Sequence, residues 1–474
     1  MRIKLSEETY RYEIYHTVAI FYGYNEVEVV DSNEDFYIKV NPFSIEIVGE
    51  GKNFVYNFLE DIPLKTNIRN GIFKFFSEIT KVEIPWGTIV GIRPTKKVIL
   101  LKEQGLSDED IVEYMKKYHF TREEKTRLCL DVVNKEIEFV NKDKNTISIY
   151  IGMAFCPTKC LYCSFTSNPI SSNKTLVFPY LEALMKEIDF VREYVKKKSL
   201  NIETVYFGGG TPTSVNEKEF ELVMNNIYNS FIRDYSIKEF TVECGRPDSI
   251  TRGKLEIMKN CNVSRISINP QTMNNDTLRA IGRGHTAEDV IEKFNLAREL
   301  GFDNINMDLI VGLPGEGYSH IDNTIAAIEK LKPEGITVHG LSIKKGSNLE
   351  RLILQGKLSA EPNLEEILYS YKKINELATK LNMKPYYMYR QKNMVGNMEN
   401  VGFSIEGHEG IYNIEMIEEK QNIIAIGSDA VSKIIFNDEN RLERFPNLKD
   451  VREYVNRIDE LISRKEKFLN ERWW

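Results

Sequence analysis

The sequence has little of what would mark a secreted, membrane-bound or nucleic-acid-binding protein. Only 6 of its 474 residues are cysteine. They are too few and too scattered for a disulfide framework, which points to a reducing compartment. No run of about 18 uncharged apolar residues occurs, so no span across a bilayer is expected. The N-terminus, Met1-Arg2-Ile3-Lys4-Leu5-Ser6-Glu7-Glu8, lacks the apolar stretch of a signal peptide. The expected location is therefore the cytoplasm. Basic charge is not in excess: 63 Lys and Arg face 70 Asp and Glu, a net charge of -7 with a sequence pI near 5.7. That balance offers no electrostatic footprint for nucleic acid. The one compact basic run, Lys196-Lys197-Lys198, reads as a solvated helix end.

What is present is concentrated in Tyr150 to Phe165, where Cys156, Cys160 and Cys163 stand in a C-x3-C-x2-C spacing. Thiolates are soft ligands that suit zinc and iron-sulfur clusters. A structural zinc site wants four closed ligands, and no second C-x2-C or H-x3-H follows. A [4Fe-4S] cluster has four iron corners, ordinarily held by four thiolates. Three thiolates from one loop leave one iron open to another ligand. Cys129, Cys244 and Cys261 lie in helix or strand contexts and read as buried thiols.

The chain is too long for one ordinary core. Residues 1–85 read as a small α+β domain, in which 10–22, 26–30, 36–40 and 44–48 mix β-branched and aromatic residues, followed by an amphipathic helix over 64–79. Residues 86–145 read as a helical connector. Pro94 opens one helix, Gly105 closes it, and Ser107 with Asp110 forms a capping box for the next. Residues 146–345 alternate short apolar strands (147–152, 202–208, 239–244, 265–270, 304–311 and 335–341) with amphipathic helices (178–198, 216–232, 252–260, 286–300 and 319–331). Such alternation specifies a parallel sheet with helices outside, and six strands make a partial barrel. Residues 346–474 read as a mixed α/β extension with helices at 363–382 and 448–470, in which Tyr386, Tyr387, Tyr389, Arg390 and Lys392 are candidates to cap the barrel and meet a carboxylated planar substrate. Trp473-Trp474 reads as a packing anchor.

In barrels of this kind chemistry sits where strands end. The first strand runs into the cysteine loop, the second into Gly208-Gly209-Gly210-Thr211, the third into Glu243-Cys244-Gly245-Arg246, the fourth into Asn269-Pro270-Gln271, and the fifth carries Asp308 before Gly312-Leu313-Pro314-Gly315. Five successive strand ends thus point unusual residues at one rim. The glycine triplet lets backbone approach a ligand closely. Glu243 is a charge inside an apolar strand and needs a partner, either Arg246 or Arg265 or a ligand. Arg283 offers a planar guanidinium suited to a carboxylate. His285 has no second histidine at metal spacing and reads as a helix-entry residue.

The cysteine loop resembles that of radical S-adenosylmethionine (SAM) enzymes. The wider set, with Tyr150, Gly208 to Pro212, Glu243, Gln271, Gly282 to Thr286, Asp308 and Gly312 to Gly315, is similar to the oxygen-independent coproporphyrinogen III dehydrogenase family over 146–345. The flanks 86–95 and 385–394 resemble its HemZ-type branch. The resemblance implies a [4Fe-4S] cluster on Cys156, Cys160 and Cys163. It also implies SAM contacts from Tyr150, the backbone of Tyr162, Gly208, Gly209, Gly210, Thr211, Glu243, Gln271, Arg283 and Asp308, with Ser342 lining the same pocket. It further implies a tetrapyrrole-like substrate, oxidative decarboxylation of propionates in heme biosynthesis, and an electron donor the sequence does not name. The family's Y-x-H-x-P-F-C opening here carries Gly152 and Ala154 in place of histidine and proline, and Asp429 interrupts a run of small residues near the C-terminus. Phe165 stands where the dehydrogenase has a fourth cysteine and is typical of a related heme-chaperone branch, which keeps open a heme-carrying alternative and another radical SAM reaction on a tetrapyrrole.

Overall fold

The structure is a computed structural model that describes every residue except 25, 164–167, 345–346, 357, 359–362, 393 and 473–474. Phe165 and the Trp473-Trp474 pair therefore lie outside the described residues. The chain forms two compact units, residues 1–134 with 388–400 and residues 135–387 with 401–474.

The first unit begins with β1 (Arg2–Leu5), α1 (Arg11–Tyr22), β2 (Glu28–Val29), β3 (Phe36–Asn41), β4 (Ser44–Gly49), β5 (Lys52–Asn57) and α2 (Leu64–Thr80). The strands form one sheet in the order β2-β1-β3-β4-β5. The β4-β5 turn places Glu50 and Gly51 at positive φ, the backbone that matches the twist of a two-residue hairpin. Residues 10–22 read as strand-like by composition but form a helix. Ile14 and Val18, one turn apart, reach the same core as Phe36, Ile45, Ile68 and Phe76. Burying that stripe outweighs the modest helix propensity of β-branched residues.

Gly71 lets α2 lie close on this sheet, because a Cβ there would meet Ile45 Cγ2 at 2.3 Å and Tyr56 Cβ at 3.1 Å. Gly71→Ala is expected to cost about 1–3 kcal/mol by overpacking, read as a lowered urea midpoint. Gly91→Ala, with nothing within 4 Å, should leave the midpoint unchanged.

The unit continues through α3 (Thr95–Glu103), α4 (Asp108–His119) and α5 (Glu123–Glu136). The capping box expected at Ser107 and Asp110 opens α4. Trp86 is fully buried with Val98, Leu101, Ile111 and Met115, and its indole donates to Glu399, which also pairs with Lys125 at 2.7 Å. Arg390, a candidate for meeting a carboxylated substrate, has another task. Its guanidinium donates to the carbonyls of Ile89, Asn397 and Met398 and stacks on Trp86. Main-chain carbonyls and the Asn397 side chain thus take up this buried guanidinium.

The second unit holds β6 (Thr146–Met153), β7 (Phe155–Cys156), β8 (Asn168–Pro169), α6 (Lys174–Lys197), β9 (Asn201–Gly209), α7 (Glu217–Ile227), β10 (Glu239–Gly245), α8 (Arg252–Asn260), β11 (Arg265–Ile268), α9 (Asn275–Ala280), α10 (Ala287–Glu299), β12 (Ile305–Val311), α11 (Tyr318–Leu331) and β13 (Gly335–Gly340). Strands β6, β9, β10, β11, β12 and β13 pair in parallel in chain order, the partial (β/α)6 barrel expected from the alternation. α6 starts a turn earlier than expected and carries Pro179 inside it. The proline forgoes one backbone bond, while Val177, Tyr180, Leu181 and Leu184 hold the helix down.

The remaining elements are α12 (Asn348–Leu354), α13 (Leu364–Lys380), β14 (Lys384–Tyr389), β15 (Asn400–Ser404), α14 (Ile411–Glu418), β16 (Asn422–Ile426), β17 (Val431–Phe436), β18 (Arg441–Pro446), α15 (Val451–Asn456) and α16 (Ile458–Arg472). They lengthen the same sheet to eleven strands, with β16 parallel beside β6 and β15 antiparallel beside β13. β6 and β13 do not pair, so the barrel stays open. Tyr386 and Tyr387 are buried in this unit and pack against each other at 4.9 Å. No helix among the described residues is long and apolar enough to cross a membrane.

Candidate active site at the strand ends of the open barrel

The cysteine loop leaves β7 at Cys156 and is pinned from the turn after α9 and from the end of β10. Thr158 donates to Gly282 O at 3.2 Å, and Leu161 N donates to Ile281 O at 3.0 Å. Arg246, at the end of β10, donates to Thr158 Oγ1 at 2.5 Å while its other nitrogens hold Asp248 in a two-pronged ion pair. Cys156 and Cys160 are buried and Cys163 is half-buried.

The glycine segment is strapped to the residues that precede the first cysteine. Gly210 N donates to Met153 O at 2.7 Å and Thr211 N to Phe155 O at 2.8 Å. Gly209 has φ +97°, and a Cβ at Gly210 would stand 2.4 Å from Phe155 O. Gly208 is required by its neighbours as well, since a Cβ there would meet the Glu243 carboxylate at 2.7 Å.

Glu243 is not paired with either arginine considered from the sequence. Arg246 is committed to Asp248, and the Tyr206 hydroxyl donates to Glu243 instead. Burial pushes the Glu243 carboxyl up to about 7, helped by the charge of Asp308 and opposed by the Tyr206 hydrogen bond. Asp308 itself accepts from Asn306 at 2.8 Å and faces His339 Nε2 at 3.8 Å. Burial is the largest effect on Asp308 and works upward, but the His339 and Asn306 contacts together hold it below the usual value.

Gln271 sits at φ +65°, bridged to β12 through its N to Asp308 O, and its Oε1 is buried without a partner. Arg283 places one terminal nitrogen on Tyr162 Oη at 3.1 Å and the other on Asn269 O at 2.6 Å, leaving its buried Nε unpartnered. Tyr150 lies within a pile of three rings: its centroid is 6.2 Å from Tyr206 and 6.1 Å from Tyr412, and Tyr206 and Tyr412 stack at 4.5 Å. His285 is buried next to Thr286, which caps α10 with Asp289, in keeping with a helix-entry position.

Tyr412 and His339 were not singled out from the sequence as site residues. His339 was legible in principle, because it shares the alternation of β13 that faces Asp308. Tyr412 carried no signal: it opens a short helix remote in sequence and joins the pile only through the fold. Beside the rim lies a cavity of about 670 Å³ whose walls include Leu313, Tyr318, Leu341, Leu349 and Ile367. Its charged lining is Glu316 and Glu366, with no lysine or arginine among the described residues, so it suits apolar surface and not a carboxylate.

These residues fit an iron-sulfur cluster and a small polar cofactor. The donor set is three soft thiols on one loop, the backbone cradle at Gly210 has no room for a side chain, and buried polar atoms of Gln271 and Arg283 await partners. Among the described residues no three Cys, His, Asp or Glu side chains form a ready-made metal cage. Convergence of ligands is ordinarily coupled to metal binding.

Comparison with known proteins agrees. Residues 150–328 match the radical SAM superfamily, whose members use a [4Fe-4S] cluster and SAM. The chain is 41% identical over 395 residues to the oxygen-independent coproporphyrinogen-III oxidase-like protein HemZ of Bacillus subtilis, covering 83% of this chain and 78% of HemZ. It is 35% identical over 219 residues to the heme chaperone HemW of the same organism, covering 46% of this chain and 56% of HemW. The solved structure of coproporphyrinogen III oxidase HemN from Escherichia coli shares the fold at a TM-score of 0.53 and 20% identity, over 69% of this chain and 72% of HemN. With the HemZ match spanning most of both chains and the cysteine loop seated at the rim of an open six-stranded barrel, the chain belongs to the oxygen-independent coproporphyrinogen-III oxidase-like family of radical SAM proteins.

Proposed function

We propose that the protein is a cytoplasmic, oxygen-independent oxidoreductase that oxidatively decarboxylates propionate side chains of a porphyrinogen, with coproporphyrinogen III as the first substrate to test. The observation that carries this reading is the gathering of the three-cysteine loop and the polar ends of β9, β10, β11 and β12 at one rim, in a chain so similar to HemZ. Cys156, Cys160 and Cys163 hold the cluster. When bound, cluster and SAM together supply abstraction of a hydrogen atom from unactivated carbon.

The chain's own residues do the rest. The Gly208 to Gly210 backbone would hold the SAM amino group, and Glu243 would hold its ribose or sulfonium region. Tyr150, Tyr162, Thr211, Gln271, Arg283 and Asp308 complete the pocket. A low-potential donor would be needed to reduce the cluster, and an outside acceptor would take the electron left on the substrate after loss of CO2. Anaerobic incubation with coproporphyrinogen III, SAM and dithionite should give the vinyl product and 5'-deoxyadenosine in step. Deoxyadenosine without any change in the tetrapyrrole would reject the substrate.

Protonation of Glu243 gives this pocket a pH signature. A ligand hydroxyl that donates to Glu243 favours the carboxylate, so SAM affinity should rise with pH through about 7. Below about 6 it should fall by up to roughly tenfold per pH unit. Equilibrium dialysis of the reconstituted protein between pH 5.5 and 8.5 measures this, and Glu243→Gln should flatten the profile.

A second reading, a cluster- and SAM-binding heme carrier, is favoured by Phe165 and by the HemW match. It requires a Soret band on heme titration and transfer to an apo-acceptor. Absence of heme binding removes it.

A further inference from the structure

Two ligand sulfurs of the cysteine loop receive hydrogen bonds from side chains anchored on other strand ends. Thr211 Oγ1 donates to Cys156 Sγ at 3.5 Å. Arg283 directs one terminal nitrogen at Cys160 Sγ, 4.0 Å away, and the Tyr162 hydroxyl lies within hydrogen-bonding reach of the same sulfur. None of these side chains is free to wander. Thr211 is only 2% exposed and is strapped by its own N–H to Phe155 O, one residue before Cys156. Arg283 is 7% exposed and is fixed through its other terminal nitrogen by the carbonyls of Asn269 and Gly245.

We propose that Thr211, and Arg283 with Tyr162, act as donors to the sulfurs of Cys156 and Cys160 and thereby raise the reduction potential of the cluster those cysteines hold. The role is one of positioning and tuning, and it rests on the reading that these thiols are the cluster ligands. One electron from a low-potential donor enters the cluster, and no bond at sulfur is made or broken. The added negative charge spreads over the sulfurs, where an O–H or guanidinium donor in a poorly solvated setting stabilises the reduced form more than the oxidised one. A cluster that must accept an electron before SAM is used benefits from this bias. The threonine at the end of the glycine segment then serves through its hydroxyl as well as through its backbone.

The test is a redox titration, followed by electron paramagnetic resonance, of reconstituted full-length protein. Thr211→Val, close in shape but without the hydroxyl, and Tyr162→Phe should each shift the midpoint to more negative potential. Thr211→Ser, which keeps the hydroxyl, should stay near the wild type. A wild-type midpoint in Thr211→Val carrying four irons would overturn the proposal. One readout needs no variant: the Fe–S(Cys) stretching bands of the wild-type holoprotein should shift in D2O, and unshifted bands would overturn it equally. Failure of the underlying cysteine assignment shows itself differently, as a cluster that survives Cys156→Ala.

Discussion

Replacing Lys465 with methionine should cost about 3 kcal/mol of folding stability, and replacing Glu187 with leucine should cost more, up to about 5 kcal/mol. Both side chains are fully buried, with Lys465 Nζ 2.5 Å from Glu187 Oε1. Glu187 also accepts from Tyr454 Oη at 2.5 Å, from Asn447 Nδ2 at 2.9 Å and from Gly427 N at 2.9 Å. Removing the lysine leaves a carboxylate that three neutral donors still serve. Removing the glutamate strands a buried ammonium against the Ala425 carbonyl and takes this acceptor from Tyr454 Oη and Gly427 N, while Asn447 Nδ2 keeps only Gly427 O. The order of the two losses is therefore part of the expectation. Urea unfolding of the two variants measures it, and losses below about 1 kcal/mol in both would show that the cluster is not a structural clamp.

The clamp matters beyond stability because of what it holds. Gly427, gripped by Glu187, lies so close to the end of β6 that a Cβ there would stand 2.4 Å from Gly152 O. Tyr180 donates to that same carbonyl at 2.5 Å. The C-terminal strands thus buttress the strand that delivers the cysteine loop. Gly152, which departs from the family's histidine, is part of this contact.

Gly210→Ala should abolish or nearly abolish loading of the iron-sulfur cluster and weaken SAM binding at least tenfold. The new Cβ would meet Phe155 O at 2.4 Å, Phe155 C at 3.0 Å and Met153 O at 2.9 Å, all backbone. A flexible side chain can swing aside, but these carbonyls are fixed by the bonds to Gly210 N and Thr211 N. Relief comes only by prying the glycine segment from the segment that ends in Cys156. Iron and sulfide counts per chain after reconstitution, together with SAM dialysis, provide the measurement. Full iron loading with unchanged SAM affinity would show that the strap is dispensable.

Much of this site could be read without a structure because its parts are local. Three thiols within eight residues, a glycine triplet directly after an apolar strand and an acid inside the next strand are patterns of short range. Strand-helix alternation then fixes which ends share a rim. Partners were less legible. Glu243 faced two nearby arginines in sequence, yet burial and geometry assigned it to Tyr206, 37 residues away. Residues 10–22 misled by composition, since the same β-branched residues serve a helix when one stripe of them meets a core.

By itself the sequence determined the six-stranded parallel arrangement, the cysteine loop and the strand ends that surround it, because hydrophobic period, caps and ligand spacing are properties of neighbouring residues. Only the tertiary structure decided that β15 and β16 extend the barrel sheet from both sides, that Tyr412 joins Tyr150 and Tyr206, and that Arg390 turns to backbone carbonyls. Those outcomes depend on which distant surfaces exclude water together and which buried charges find partners, and no pattern in neighbouring residues encodes them.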